Sequence, residues 1–146
     1  MAEPLTDTEQ AAWRTFIESS WALHTNLEDD LRATTGLSMN DYHVMVVLSE
    51  APGRRLRMGE LAGRLVFSPS RITYQINSMV KRGFVRKQPC PEDGRGQEAV
   101  LTDEGMAALE HAAPLHLITV RDRFIDRLDP DELEVIHRVF EKVRKA

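Results

Sequence analysis

Apolar residues recur every three or four positions over most of the chain, and this spacing predicts a mainly helical protein. Residues 6–34 carry one such stripe, so we predict a long first helix that ends at Gly36. Residues 39–50, MNDYHVMVVLSE, are apolar on most sides. This second helix is therefore predicted to lie at the centre of the fold.

The C-terminal part of the chain repeats the helical spacing. Residues 103–128 predict one helix, which Pro114 should kink because proline lacks the N–H that a helix interior needs. Residues 130–144 predict a last helix that opens at Asp129-Pro130. Acids in its first turn suit the positive end of the helix dipole.

The middle of the chain combines helical and strand-like patterns. A short strand precedes a short helix at 58–66, and a second helix follows within FSPSRITYQINSMVKRG, residues 67–83. Residues 84–90 and 98–102 alternate as strands do, and PEDGRGQ between them is rich in turn-forming residues. The sequence thus predicts a pair of helices followed by a β-hairpin.

The helix within residues 67–83 has an unusual outer face. Ser68-Pro69 suits its start and Gly83 suits its end. Its buried face is predicted to comprise Ile72, Ile76, Met79 and Val80. The opposite face contains no acid and consists of Ser70, Arg71, Tyr74, Asn77, Ser78 and Lys81, with Thr73 and Gln75 at the boundary.

Charge is distributed unevenly along the chain. The net charge is −4, yet residues 54–95 hold ten Lys or Arg and three acids, so this segment carries +7 and the remainder −11. A polyanion responds to such a local field rather than to the average. A solvated surface with an uneven charge distribution would give the same count. The charge alone therefore does not decide between a polyanion-binding module and such a surface.

The side chains on this helix favour nucleic acid. Hydroxyl, amide and guanidinium groups are those that meet base edges and phosphates in the grooves of DNA. We therefore predict a helix-turn-helix whose second helix contacts double-stranded DNA, and a hairpin wing with Arg95 near its tip. The predicted helix contacts are Ser68, Ser70, Arg71, Thr73, Tyr74 and Gln75.

Two other classes of protein compete with this interpretation. An enzyme is disfavoured, because the chain has no phosphate-binding glycine loop, nucleophile elbow or metalloprotease helix. A winged-helix adaptor that contacts only proteins remains the alternative, and a gel shift with genomic fragments would separate it from a DNA-binding regulator.

The runs LRMGELAGRLVFSPSRITYQINSMVKRGFVRK and PEDGRGQEAVLTDEG resemble the winged helix-turn-helix of the MarR family of bacterial regulators. The most specific element is D-x-R followed by a strand that ends LT-x-x-G, and its residues here are Asp93, Arg95, Leu101, Thr102 and Gly105. The resemblance covers nearly the whole chain, since the flanking helices fall where that family has its dimerisation helices.

The resemblance implies a fold that is mainly α with a small β-hairpin wing. Residues 1–146 would form a single MarR-type domain, with a winged helix-turn-helix module at 54–102 and dimerisation helices at 6–34 and 103–144. Arg95 would enter the minor groove from the wing, and Asp93 would support the wing. The chain departs from the family at Tyr74, where many members have Arg or Lys, and at Arg71, where a small hydroxyl residue is commoner.

The resemblance also implies a mode of action. The chain would be a transcriptional repressor that binds a pseudo-palindromic operator as a homodimer and leaves it when a small aromatic ligand binds. Four residues lie on the helices that would wall the family's ligand pocket: Trp21, His24, Tyr42 and His43.

Other chemistry is sparse in this sequence. The single cysteine, Cys90, excludes an intrachain disulfide, and whether its thiol is reactive beside Arg86 and Lys87 or merely incidental stays open. The five histidines form no i, i+4 pair and no Cys/His cluster, so we expect no metal and no cofactor. The chain has no run of 18 apolar residues and an acidic N-terminus, which predicts no membrane partner and a cytoplasmic location.

Overall fold

Six α-helices and three short strands make up the computed structural model, which describes residues 1–92 and 94–146. The predicted fold class, mainly α with a small hairpin, is confirmed. In chain order the elements are α1 (Asp7–Thr35), α2 (Met39–Glu50), β1 (Arg55–Arg57), α3 (Met58–Leu65), α4 (Pro69–Lys81), β2 (Val85–Pro89), β3 (Gln97–Leu101), α5 (Asp103–Arg123) and α6 (Pro130–Arg144).

The chain divides into two units. The first comprises Met1–Asp30 and His116–Ala146, and the second comprises Leu31–Leu115. The second unit encloses the predicted DNA-binding module, residues 54–102. Among the described residues, no helix combines the length and the apolar character that crossing a bilayer would need.

The second unit contains the buried core. On α2, which is apolar on most sides, Val44, Met45 and Leu48 are fully buried, so its predicted central place is confirmed. Ser38 and Asp41 start this helix with a capping box, in which each side chain accepts a hydrogen bond from the other residue's backbone N–H.

The apolar face of α4 is narrower than predicted. Ile72, Ile76 and Met79 are at most 2% exposed, whereas Val80 is 38% exposed, so the prediction for Val80 was wrong. At 3.6 residues per turn, Val80 lies about 80° round the helix from Ile72, at the edge of the stripe.

The three strands form one antiparallel sheet in the order β1-β3-β2. The hairpin pairs Val85 with Leu101 and Pro89 with Gln97, while Arg55 of β1 pairs with Val100 on the other side of β3. The central strand β3 is buried from residue 98 onward. The strand that precedes the helix pair is thereby joined to the predicted wing.

The LT-x-x-G motif joins three elements of this unit. The Thr102 hydroxyl donates to the carbonyl of Gly83, beyond the end of α4, at 2.6 Å, and accepts from the N–H of Gly105 at 3.0 Å. The Thr102 N–H donates to the Phe84 carbonyl at 3.1 Å. Gly105 lies so close to that carbonyl that an added Cβ would stand 2.2 Å from its oxygen. The motif therefore fixes the end of α4, the hairpin and the start of α5 to one another.

The first unit consists of helices that bury little. Every residue of this unit is described, and none of them is buried. The ring of Phe16 on α1 packs against that of Phe140 on α6 with centroids 5.0 Å apart, and Arg123 donates to the Asp30 carboxylate at 2.7 Å. This hydrogen bond from Arg123, rather than burial, raises the pKa of its guanidinium.

Helix α5 ends earlier than the predicted residue 128. It continues through Pro114 to Arg123, after which Phe124 leaves the helical region and residues 125–127 form a 3₁₀ turn. Asp129, which precedes Pro130, adopts an extended backbone and starts α6. Arg127 donates to the carbonyl of Asp122, one of those left unpaired at the helix end.

Candidate nucleic-acid interface

The turn between α3 and α4 places the second helix of the pair. Val66 ends α3 in the left-handed conformation (φ 55°, ψ 44°), and its N–H donates to the carbonyls of Ala62 and Gly63. The Ser68 hydroxyl then accepts from the Arg71 N–H at 3.2 Å, which starts α4 with a side-chain cap. The predicted short helix and the longer helix after it are therefore present in tandem.

We expect Val66→Gly to stabilise the protein. The left-handed backbone conformation costs a non-glycine residue about 1–2 kcal/mol, and a β-branched residue such as valine is especially strained there. The side chain is 87% exposed, so its removal forfeits little burial. Thermal unfolding should show a melting temperature several degrees above that of the parent. A matched Val135→Gly, which removes an exposed valine from inside α6, should lower the melting temperature instead.

The exposed face of α4 presents Ser70, Arg71 and Tyr74. The Arg71 guanidinium lies over the Phe67 ring, 4.1 Å from its centroid, which holds the charge near the first turn of the helix. No acid among the described residues forms an ion pair with Arg71. Tyr74 is 79% exposed. With no acid in α4 and a helix N-terminus nearby, this surface favours an anion.

Four of the predicted DNA contacts already use a side-chain atom inside the protein, and one of them is Ser70, whose hydroxyl shares a 3.3 Å hydrogen bond with that of Ser68. Ser68 caps α4, and the Thr73 hydroxyl donates to the Pro69 carbonyl at 2.9 Å. The Gln75 amide donates to the Asp41 carboxylate at 2.6 Å. The roles of these residues at DNA stay predictions.

Sequence reasoning missed the partner of Gln75. Asp41 is only 3% exposed, and its carboxylate also accepts two hydrogen bonds from the Arg82 guanidinium, both 2.7 Å long. The local signal at Asp41 is the capping box with Ser38, which accounts for an acid at that position without any distant partner. The second role was therefore not readable, because Gln75 and Arg82 lie 34 and 41 residues further along the chain.

The charge state of this cluster follows from its partners. Burial alone raises the pKa of Asp41, but the hydrogen bonds from Arg82, Ser38 and Gln75 and the attraction of Arg82 outweigh it, so the pKa lies below its ordinary value of 3.8. The same hydrogen bond raises the pKa of Arg82. The stability that the ionised Asp41 contributes is thus complete above about pH 4 and is lost as the pH falls through the lowered pKa.

The hairpin carries the predicted wing residue at its tip. Arg95 is exposed in the turn between β2 and β3, while Asp93 lies outside the described residues. Gln88 of β2 donates to the buried Glu98 carboxylate of β3 at 2.6 Å, which braces the hairpin across its strands. Cys90 follows the end of β2 and is buried, so its thiol faces little solvent.

Comparison with known proteins decides which family this arrangement represents. The sequence model described as the MarR family matches residues 35–96. The crystal structure of AbsC, a MarR family transcriptional regulator from Streptomyces coelicolor, is 42% identical, with a TM-score of 0.94 over 99% of this chain and 97% of AbsC. The chain belongs to the MarR family. It is a transcriptional regulator of this type and not an enzyme.

Two further relatives bear on the interface. Sco3205 from Streptomyces coelicolor, whose crystal structure is in complex with DNA, is 38% identical, with a TM-score of 0.95 over 99% of this chain and 91% of that protein. The transcriptional repressor YetL of Bacillus subtilis is 29% identical over 76% of this chain and 68% of its own length. The chain spans between 56% and 68% of the length of the curated relatives that it matches.

The four residues predicted for the MarR ligand pocket fall in different units. Trp21 and His24 are exposed residues of the first unit, and Trp21 lines an open groove of about 490 Å³ with Leu5, Trp13 and Ile17 among others. Tyr42, half-buried, and His43, exposed, belong to the second unit. Burial raises the pKa of the Tyr42 hydroxyl, which therefore stays protonated and able to donate. The pocket itself stays a prediction.

Proposed function

We propose that this chain is a sequence-specific repressor that binds double-stranded DNA in the cytoplasm as a homodimer. The observation that carries the proposal is the acid-free face of α4, where Ser70, Arg71 and Tyr74 are exposed and the Arg71 guanidinium stacks over the Phe67 ring. The DNA complex of Sco3205 and the repressor activity named for YetL support it. We accordingly call α4 the recognition helix, and the turn and strands at 85–101 the wing.

The homodimer is supported by the first unit. None of its residues is buried in the single chain, although large apolar side chains occur on all three of its helices. The most exposed of them are Trp13, Trp21, Leu117, Ile118 and Val143, each more than half exposed. Large apolar side chains left exposed in such number within one unit support an interface with another chain.

The proposal is tested by selecting duplexes from a randomised pool with the purified protein and footprinting the best of them. A two-fold dimer should protect two inverted half-sites about one helical turn, roughly 10 base pairs, apart. Retention of no sequence over any other would support the adaptor alternative. Protection of one asymmetric half-site by one chain would contradict the dimer.

We expect Arg71→Ala and Arg95→Ala to impair DNA binding in different ways. If Arg71 pairs with guanine in the major groove, its loss should cost about 1–3 kcal/mol per half-site and relax the preference at one base pair. Loss of Arg95 from the wing should weaken binding to nearly all sequences and reduce the salt dependence by about one phosphate equivalent per wing. Salt titrations on the selected duplex and on its single-base variants separate the two effects.

A matched control removes the same charge from the first unit. Arg144→Ala breaks only an exposed ion pair with Glu141, so binding and folding should change little. An equal loss of affinity for every duplex with Arg71→Ala would make Arg71 a phosphate contact. If Arg95→Ala leaves the DNA affinity and its salt dependence unchanged, the hairpin does not contact DNA.

We further propose that a small aromatic ligand releases the repressor from DNA. A ligand shifts this equilibrium only if it binds the free arrangement better than the DNA-bound one. Trp21, His24, Tyr42 and His43 are the residues proposed to contact it, and aromatic rings with polar ends suit such a ligand.

We expect at least one compound from a panel of aromatic acids to raise the melting temperature and to lower the affinity for the selected duplex. His24→Ala and Tyr42→Phe should weaken the response to that compound while DNA binding without it is retained. If the whole panel changes neither the melting temperature nor the DNA affinity, the ligand proposal fails and the DNA-binding proposal is unaffected.

A further inference from the structure

We infer that Asp41 sets the sequence specificity of this protein by holding the recognition helix in position, and that Gln75 acts with it as a positioning residue rather than as a base reader. Asp41 belongs to α2, outside the helix-turn-helix. The inference rests on the proposed function and adds to it a determinant of specificity that has no contact with DNA.

The Asp41 carboxylate uses both oxygens on the recognition helix. Oδ1 accepts from Nε2 of Gln75 at 2.6 Å and from the Arg82 guanidinium at 2.7 Å. Oδ2 accepts from the same guanidinium at 2.7 Å and from the Ser38 N–H at 3.0 Å. One buried carboxylate thus connects the start of α2 with two positions on or just beyond α4.

The two attachment points are well separated along the helix. Gln75 and Arg82 are seven residues apart, which is about two turns or 10 Å. Attachment at two such points opposes both rotation and tilt of the helix, whereas a single contact would leave one of them free. Arg82 is itself fixed, because its guanidinium also donates to the hydroxyl and the carbonyl of Ser78.

The positioning role of the Asp41 carboxylate can be distinguished from the effect of its negative charge on DNA affinity. An acid close to the recognition helix repels phosphates, so replacing it with a neutral residue should by charge alone strengthen binding to any DNA. A loss of affinity confined to the selected sequence would therefore report the position of the helix and not its charge. Loss of the charge should raise the DNA affinity, whereas loss of the helix position should lower the affinity for the selected sequence.

The first experiment compares Asp41→Asn with Asp103→Asn. Both remove one negative charge from the second unit, but Asp103 is fully exposed, and among the described residues its ion pair is with Arg54, at 3.6 Å. Each full-length variant is titrated with the selected duplex and with a scrambled duplex of equal composition. For Asp41→Asn we expect the ratio of the two affinities to fall by about tenfold or more, the size of one lost bidentate base contact, with binding to the scrambled duplex unchanged or tighter. For Asp103→Asn the ratio should not change.

The second experiment uses milder changes and keeps the inference testable if Asp41→Asn unfolds. Arg82→Lys keeps the charge and one hydrogen bond, so it should retain more of the specificity ratio than Arg82→Ala, with circular dichroism confirming that both are folded. Gln75→Ala is measured against every single-base variant of the selected duplex. A positioning residue should lower affinity for all of these variants by a similar factor, whereas a base reader should relax the preference at one base pair in each half-site.

The outcomes distinguish this inference from the proposed function. If the parent protein selects no sequence, both fail. If the parent selects a sequence but folded Asp41→Asn or Arg82→Ala keeps the parent's specificity ratio, the positioning role of Asp41 fails alone. If Gln75→Ala relaxes one base pair only, Gln75 reads a base as the sequence predicted and its positioning role is overturned.

Discussion

Replacing Ile118 with aspartate should separate the proposed homodimer into monomers and reduce operator affinity by about 10²–10⁴-fold, because the second half-site then no longer binds at a high effective concentration. Ile118 lies on α5 and is 66% exposed in the single chain. A charge there costs little in a monomer, where it meets water, and much in an apolar interface. Sedimentation at micromolar concentration and titration with the selected duplex measure the two effects.

The control places the same charge on the polar side of the first unit. Asn26→Asp alters an exposed amide of α1 and should leave both sedimentation and affinity unchanged. A parent chain that sediments as a stable, folded monomer would contradict the dimer outright. If the Ile118→Asp variant stays dimeric, this part of α5 lies outside the dimer interface.

Gly105→Ala should give the largest loss of stability among the glycine substitutions. The new methyl group would stand 2.2 Å from the Phe84 carbonyl oxygen and 2.6 Å from Cδ1 of Leu101. The nearest atom belongs to the backbone between α4 and β2, so relief requires that the chain itself move. Overpacking of this kind costs about 1–3 kcal/mol and occasionally more. Chemical denaturation should show the loss, and DNA affinity should fall with it if the recognition helix and wing shift.

Gly63→Ala provides the matched control with the opposite expected sign. Gly63 lies inside α3, and nothing stands within 4 Å of an added Cβ. Alanine is favoured over glycine inside a helix by about 1 kcal/mol, so this variant should be slightly more stable than the parent. A destabilised Gly63→Ala, or a Gly105→Ala of parental stability, would contradict the packing described for the LT-x-x-G motif.

The sequence by itself determined the fold class and the helix pair, because these depend on local patterns. The start of α4 was readable from Ser68-Pro69 and its end from Gly83, since caps are set by neighbours within a few residues. The apolar period defined the buried face of α4 except at Val80, whose place at the edge of the stripe depends on what packs beside it. The early end of α5 was missed because its apolar spacing continues to Leu128 and gives no local sign that the helix ends at Arg123.

Only the tertiary structure decided which polar residues of the recognition helix are exposed and which bond to other parts of the protein. Tyr74 and Gln75 are adjacent and both polar, yet Tyr74 is exposed and Gln75 is bound to a carboxylate 34 residues away. The pairing of β1 with β3 and the contact of Gly105 with the Phe84 carbonyl are likewise long-range. Local propensity acts within a turn or two of the chain, whereas these contacts join segments that only folding brings together, and no pattern within either segment records the other.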